Sequence, residues 1–196
     1  MIAGYHVIFG AYGFWLPNDP RGSWSDFVGS WELFRYGPAN KTTELRSLAY
    51  APHDHRLRLA AKRGLSRPAV HFTGPQARAA GRGFGRFAER SGLVVWSCAI
   101  LPDHVHLVLG PPALRIEQVV IQLKGEATAL LVEEGLHPFG GGSGGRPPKC
   151  FARGQWKVYL DAGDVPNAIR YVEENPEKEG KPRQRWSFVV APPGSG

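Results

Sequence analysis

The sequence predicts a single α+β domain in which helices cover one face of an antiparallel sheet. Two observations favour this class. Strand-like segments alternate with helix-like segments along the 196 residues, a length that fits one domain. Two of the strand-like segments, "LVVWSCAI" and "HVHLVLG", are separated only by "LPD". A connection that short joins antiparallel strands as a hairpin, whereas parallel strands need a long crossover.

The N-terminal half contains one clear strand and one poorly defined region. Residues 5–16, "YHVIFGAYGFWL", are rich in aromatic and β-branched residues, which predicts a strand that ends at Pro17. Residues 24–36 are predicted to form a short helix, and residues 37–72 an edge strand plus loop.

Three segments are predicted to be helical. Residues 73–92 begin with a capping box of Thr73 and Gln76. Residues 115–135 carry one apolar stripe, formed by Ile116, Val119, Val120, Leu123, Ala127, Leu130 and Leu131. The last helix, residues 164–176, has Asp164 as its N-cap and Pro176 as its end.

A glycine-rich stretch precedes the last helix. Residues 139–149, "FGGGSGGRPPK", have the composition of a flexible linker within the 1–196 domain. The segment "GQWKVYL" follows it and is predicted to be extended.

Positive charge is concentrated in one part of the chain. The protein has a net charge of +7, and residues 35–90 hold twelve Lys and Arg against three acids. A basic block inside a folded domain indicates a polyanionic partner, usually a nucleic acid, although a solvated basic face is the alternative. The candidate phosphate contacts are Arg63 and a stripe that repeats every fourth residue of the second helix, namely Arg78, Arg82, Arg86 and Arg90.

The two cysteines and the hydropathy suggest a location. Cys98 and Cys150 form no C-x-x-C pair, which argues against a disulfide framework or a cysteine zinc site. No segment has the length of a transmembrane helix, and the first residues lack the basic region and cleavage site of a secretory signal. The expectation is a cytoplasmic protein without a membrane partner.

Two histidines stand in the second strand of the predicted hairpin. His104 and His106 lie two residues apart, so both side chains point to the same face of the strand. Two neighbouring imidazoles are half of a site for a divalent metal. Histidines satisfied by backbone or water are the alternative, and the second such pair, His53 and His55, lies in a polar stretch and is not expected to bind metal.

The last helix offers a possible nucleophile. Tyr171 and Asn175 are four residues apart and therefore lie on one helix face, at the edge of its apolar stripe. On spacing alone, a tyrosine at the rim of the core is the favoured interpretation.

These motifs carry a resemblance to a known family. "LPDHVHLVL" resembles the histidine–hydrophobic–histidine (HUH) motif of the single-tyrosine transposases of small bacterial insertion sequences and of their REP-associated relatives. "AIRYVEENP" is similar to the family's C-terminal helix, where an amide residue follows the tyrosine by four positions. The resemblance covers residues 93–176 directly and the first strand more loosely.

The resemblance implies an HUH endonuclease fold with a ferredoxin-like core and a set of roles for the site. His104 and His106 would bind Mg²⁺ or Mn²⁺, and Tyr171 would be the nucleophile that forms a 5′-phosphotyrosine intermediate. Asn175 stands where the insertion-sequence enzymes usually have a glutamine as third metal ligand. Because asparagine is shorter, Glu174 and a water molecule are alternatives for that ligand.

The resemblance also implies the substrate and the activity: a DNA transposase that nicks single-stranded DNA marked by an imperfect hairpin and transfers the strand. A homodimer that exchanges its tyrosine helices and a monomer both stay open. Two alternative functions also stay open. One is a domesticated HUH nickase that acts on chromosomal repeats, and the other is a catalytically silent nucleic-acid-binding protein.

Overall fold

A computed structural model of the protein describes residues 2–14, 16, 19, 33, 35–37, 53–140, 145 and 147–193. Within these residues the chain forms four strands and four helices. The strands are β1 (Gly4–Gly10), β2 (Val95–Ile100), β3 (His104–Leu109) and β4 (Trp156–Leu160), and the helices are α1 (His55–Arg63), α2 (Gly74–Ser91), α3 (Ile116–Glu133) and α4 (Val165–Lys178).

The four strands form one antiparallel sheet in the order β2-β3-β1-β4. Helix α2 lies between β1 and β2 in the chain, β2 and β3 form the predicted hairpin, and α3 connects β3 to β4. This arrangement is the ferredoxin-like β-α-β-β-α-β unit. The predicted α+β class is therefore confirmed.

Helices α2 and α3 cover one face of the sheet. The larger apolar core lies between them and the strands and includes Val7, Phe9, Val105, Leu107, Phe84 and Leu123. All seven residues of the apolar stripe predicted for α3 are buried. The periodicity of the sequence thus identified the buried face of α3 correctly.

Helix α2 has the ends that its sequence predicts. The Thr73 side chain accepts from the Gln76 N–H and the Gln76 side chain accepts from the Thr73 N–H, and Gly92 closes the helix in the left-handed region at φ 67°. A Cβ atom at Gly83 would lie 2.6 Å from the backbone of Ala127. Glycine at this position therefore permits the close approach of α2 and α3.

Helix α4 packs on the opposite face of the sheet. Val165 and Val172 are buried there against Trp96, Ala99 and Val108 of β2 and β3. The expectation that helices pack on one face thus applies to α2 and α3, whereas α4 covers the other face. The histidines of β3 share that second face with α4.

Several boundaries differ from the predictions. Strand β1 ends at Gly10 instead of residue 16, because the chain turns there and Gly13 has φ 84°. Helix α4 continues to Lys178, with Pro176 inside its last turn, where the missing N–H costs only one helical bond. Asp164 is at the N-cap position but makes no side-chain capping bond.

The region around residues 24–72 was predicted least well. Helix α1 at His55–Arg63 lies where an edge strand plus loop is expected, with Asp54 accepting from the Leu57 N–H as its N-cap. Most of residues 24–52, and residues 141–144 and 146 of the predicted linker, lie outside the described residues.

The C-terminal segment covers the outer edge of β2. The Gln184 side chain accepts from the Ile100 N–H and donates to the Ile100 carbonyl, and the Trp186 Nε1–H donates to the Cys98 carbonyl. The Val190 N–H donates to the Val95 carbonyl at 2.9 Å. These bonds protect a sheet edge that would otherwise be open to pairing. No helix among the described residues is long and apolar enough to cross a bilayer.

Candidate functional site

The site lies between β1, β3 and α4, on the sheet face away from α2 and α3. The pleat of β3 directs His104 and His106 to this face, while Val105 and Leu107 point into the larger core. The centroids of the two imidazole rings lie 4.8 Å apart. The structure therefore brings the predicted pair together on one face.

His104 is oriented by two neighbours. Its Nδ1 lies 2.7 Å from the carboxylate oxygen Oδ1 of Asp103. Because an ionised carboxylate only accepts, Nδ1 carries the proton in this bond, and Nε2 is the acceptor nitrogen of the neutral ring. The ring also stacks on Phe14, with centroids 4.9 Å apart. A fixed tautomer of this kind is typical of histidines that bind metal through the other nitrogen.

His106 is paired with a third histidine, His6 of β1. Nε2 of His6 lies 3.0 Å from Nδ1 of His106, and both residues are buried. Burial lowers the pKa of His6 to about 4. Burial, and then the proximity of His104 and His6, lowers the pKa of His106 well below its usual value. Both rings are therefore neutral at physiological pH, each with one N–H donor and one acceptor nitrogen.

Tyr171 of α4 faces these histidines. Its ring centroid lies 5.7 Å from the His106 ring and 5.7 Å from the His6 ring, edge-on in both cases. The side chain is 44% exposed, so a large substrate can reach it. Nζ of Lys178 lies 4.9 Å from the same ring, which adds positive charge beside the tyrosine. The predicted nucleophile and the predicted metal histidines thus occupy one surface.

Asn175 is buried beneath Tyr171. Its side-chain Nδ2 donates to the Tyr171 carbonyl oxygen at 3.2 Å, and Oδ1 is the atom of this side chain that could bind a metal. Its predicted role as third metal ligand stays a prediction.

The structure offers a second source for that ligand. Single ligand atoms of Asp103, His104 and Glu179 lie within 4.8 Å of one another, where Glu179 follows α4 directly. Imidazole nitrogen combined with carboxylate oxygen is a donor set that suits Mn²⁺, and carboxylates also suit Mg²⁺. The residues present therefore fit a divalent ion.

Most of the predicted arginine stripe is occupied by ion pairs. Arg82 pairs with Glu134, Arg86 forms two bonds of 3.1 Å with Glu133, and Arg90 lies 2.8 Å from Glu126. These arginines lie between α2 and α3, on the other side of the sheet from Tyr171. Contacts between the stripe and DNA stay a prediction, and the ion pairs weigh against it. Arg78 and Arg63 make no ion pair within the described part of the chain.

Sequence reasoning missed three polar residues of the site. His6 is a lone histidine in an apolar strand, and only the pairing of β1 with β3 brings it to His106. Asp103 precedes the HUH-like motif directly, so its adjacency to His104 could have identified it. Glu179 lies beyond the predicted end of the last helix, and only the extra turn of α4 indicates it.

Comparisons with known proteins find similarity at the level of solved structures. One is a REP-associated tyrosine transposase bound to a REP hairpin, at 10% identity and a TM-score of 0.48, covering 95% of this chain and 75% of that one. Another is a candidate transposase from Deinococcus radiodurans, at 15% identity and a TM-score of 0.39, covering 87% of this chain and 88% of that one. No protein-family model matches the chain, and no curated protein matches it in sequence.

Proposed function

We propose that the protein is a metal-dependent endonuclease and strand transferase for single-stranded DNA, with Tyr171 as its nucleophile. The observation that carries this proposal is the position of Tyr171, whose ring lies 5.7 Å from the ring of His106, beside His104. A partly exposed tyrosine next to two metal-competent imidazoles is the combination that tyrosine-dependent phosphoryl transfer needs.

The metal would be held by His104 and His106 through their Nε2 atoms. For His106 this requires the proton on Nδ1, which then donates to Nε2 of His6 at 3.0 Å. Asp103 holds His104 in the corresponding tautomer. The third ligand would come from α4 or from the residue after it, either Asn175 or Glu179. A divalent ion held by these residues would supply positive charge that stabilises a scissile phosphate and favours in-line attack on it.

The proposed chemistry is a balanced exchange of phosphoesters. The Tyr171 oxygen forms a bond to phosphorus while the bond from phosphorus to the 3′ oxygen breaks. The tyrosine gives up its proton, and the 3′ oxygen gains one. The 5′-phosphotyrosine keeps the energy of the phosphodiester, so the 3′ hydroxyl of another strand can reverse the step and reseal the DNA. No nucleotide cofactor is required.

Tyr171 and the histidines belong to one chain, so the proposed site needs no residue from a partner subunit. The ring of Tyr171 also contacts His6 and His106 at the same distance, which places it centrally over the pair. The proposal is therefore a monomer that can act in cis.

The direct test is adduct formation. The protein is incubated with a library of single-stranded oligonucleotides and Mn²⁺, and denaturing gels resolve covalent protein–DNA products. We expect an adduct that EDTA abolishes and that the double variant His104→Ala with His106→Ala does not form. An adduct that forms equally well without metal would contradict the proposed metal site, and salt-sensitive binding without any adduct would favour a silent DNA-binding protein.

A further inference from the structure

A cavity of about 370 Å³ opens directly beside the His104 end of the site. Its lining includes Phe14 and Asp103, and these are the two residues that stack on and hydrogen-bond to His104. The cavity and the candidate metal site therefore share a wall. Its size lies near the lower end of the range for pockets that bind small ligands, roughly 300–1,000 Å³.

Two cations line the cavity from helix α1. Arg58 and Lys62 are four residues apart, so they lie on one face of the helix. Neither side chain makes an ion pair within the described residues, in contrast to the arginines of α2, three of which are paired with glutamates. Two unpaired cations with this spacing fit a phosphate group.

The rest of the lining is of a different kind. Val70 and Phe14 are buried and provide apolar surface, whereas Asp19 and Asp103 bring carboxylates that repel a phosphate. An occupant would therefore place its anionic group against Arg58 and Lys62 and an apolar ring against Val70 and Phe14. A cavity that offers both cations and apolar surface fits a nucleotide.

The walls of the cavity are held in place by the backbone. The Val70 N–H donates to the Tyr12 carbonyl at 2.8 Å, and the Phe72 N–H donates to the Pro102 carbonyl at 2.6 Å. Gly13 has φ 84°, and a Cβ atom there would lie 2.7 Å from Cβ of Ala69. The segments around Gly13, Val70 and Asp103 are thus fixed against each other.

We propose that this cavity holds one unstacked nucleotide of the DNA strand close to the scissile phosphate, with its phosphate on Arg58 and Lys62 and its base against the apolar wall. The inference rests on the proposed function and adds to it a specific subsite. A base inside a double helix cannot enter such a cavity, so the subsite selects single strands. Contact with the apolar wall offsets the stacking free energy that the base loses when it leaves its neighbours in the strand.

The first experiment measures binding with matched charge changes. The affinity for a fluorescent 20-nucleotide oligo-dT strand is measured in the Tyr171→Phe background with EDTA present. Under these conditions neither cleavage nor a bound metal contributes to binding. Arg58→Gln with Lys62→Gln is compared with Arg56→Gln with Arg67→Gln, which removes the same charge from α1 and the residues just after it, outside the cavity lining. We expect at least a tenfold loss of affinity for the first pair and less than threefold for the second. Equal losses would mean general attraction to a basic segment and would overturn the inference.

The second experiment locates the base. A strand that contains 4-thiothymidine is photo-crosslinked to the same protein, and mass spectrometry identifies the modified residues. We expect crosslinks at Phe14 or at residues 69–71, and their loss when Ala69→Leu fills the cavity while the melting temperature is unchanged. Crosslinks confined to other surfaces would overturn the subsite.

The two proposals fail in different ways. If the adduct forms on Tyr171 but the two double variants lose affinity equally, only the nucleotide subsite is wrong. If the protein neither forms an adduct nor binds the strand, the proposed function is wrong and the subsite is wrong with it.

Discussion

Nε2 of His6 lies 3.0 Å from Nδ1 of His106, although the two residues are 100 positions apart in the chain. The register of β1 on β3 pairs Ile8 with His106 and therefore places His6 diagonally across from it on the same face. Both rings are buried and neutral, so this contact decides which nitrogen of His106 is available for a metal.

The first prediction concerns this contact. His6→Ala removes the partner that keeps the proton on Nδ1 of His106, so we expect the affinity for Mn²⁺ to fall about 10–100-fold, the usual range for such supporting residues. Titration of Mn²⁺ followed by electron paramagnetic resonance measures it. His55→Ala, which removes an exposed histidine from the second His-x-His pair, is the control and should bind as the wild type does. Unchanged Mn²⁺ affinity in His6→Ala would show that His106 does not depend on His6.

The second prediction concerns the third ligand. A Glu179 carboxylate oxygen lies within 4.8 Å of candidate ligand atoms of His104 and Asp103, whereas the Asn175 amide donates to the Tyr171 carbonyl. Glu179→Gln should therefore lower Mn²⁺ affinity about tenfold or more. Asn175→Ala should lower it less and should instead loosen the turn that carries Tyr171. The reverse order of affinities would assign the third ligand to Asn175, as the family resemblance implies.

The third prediction concerns the arginines of α2. Because Arg82 and Arg86 are already paired with glutamates of α3, they do not need DNA phosphates as partners. The slope of log affinity against log salt for a single strand should stay the same when both are changed to glutamine. Each lost phosphate contact would reduce that slope by about 0.7. A reduction of that size in the Arg82 and Arg86 variant would restore the stripe as a DNA-binding surface.

The fourth prediction concerns pH and Lys124 of α3. Its Nζ donates to the carbonyls of Ala152 and Gly154, and burial, with some repulsion from Lys149, lowers its pKa to about 8 from the ordinary 10.5. Between these two values the unfolded chain binds more protons than the folded chain. The contribution of Lys124 to stability therefore increases as the pH rises from about 8 to 10.5.

Lys124→Met lacks this contribution. Between about pH 8 and 10.5, the unfolding free energy of the wild type should rise relative to that of the variant. The slope should be up to about 1.4 kcal/mol per pH unit. Urea denaturation at several pH values measures it. A difference that is independent of pH would show that Lys124 titrates normally in the folded protein.

Local patterns were enough to predict much of the fold. The seven-residue stripe of α3, the capping box of α2 and the hairpin around "LPD" depend on neighbours in sequence, and all three are present. Residue spacing also indicated the two halves of the site. His104 and His106, two residues apart, share a strand face, and Tyr171 and Asn175, four residues apart, share a helix face.

What the sequence could not predict depends on contacts between distant segments. The apolar stripe of α4 shows that the helix is buried on one side but not which face of the sheet it covers. The same limit applies to His6, which reaches His106 only through the sheet register, and to the arginines of α2, whose partners are glutamates of α3. Helix α1 was missed because its apolar residues are few and partly exposed.

The most direct test of the proposed function is the identity of the nucleophile. Tyr171→Phe and Tyr159→Phe are compared in the Mn²⁺ adduct assay, since Tyr159 on β4 is a comparably exposed tyrosine, 54% against 44%, whose removal leaves the site intact. We expect that Tyr171→Phe forms no covalent adduct yet still binds the strand, and that Tyr159→Phe forms the adduct as the wild type does. An adduct of normal yield with Tyr171→Phe would contradict the proposal that Tyr171 is the nucleophile.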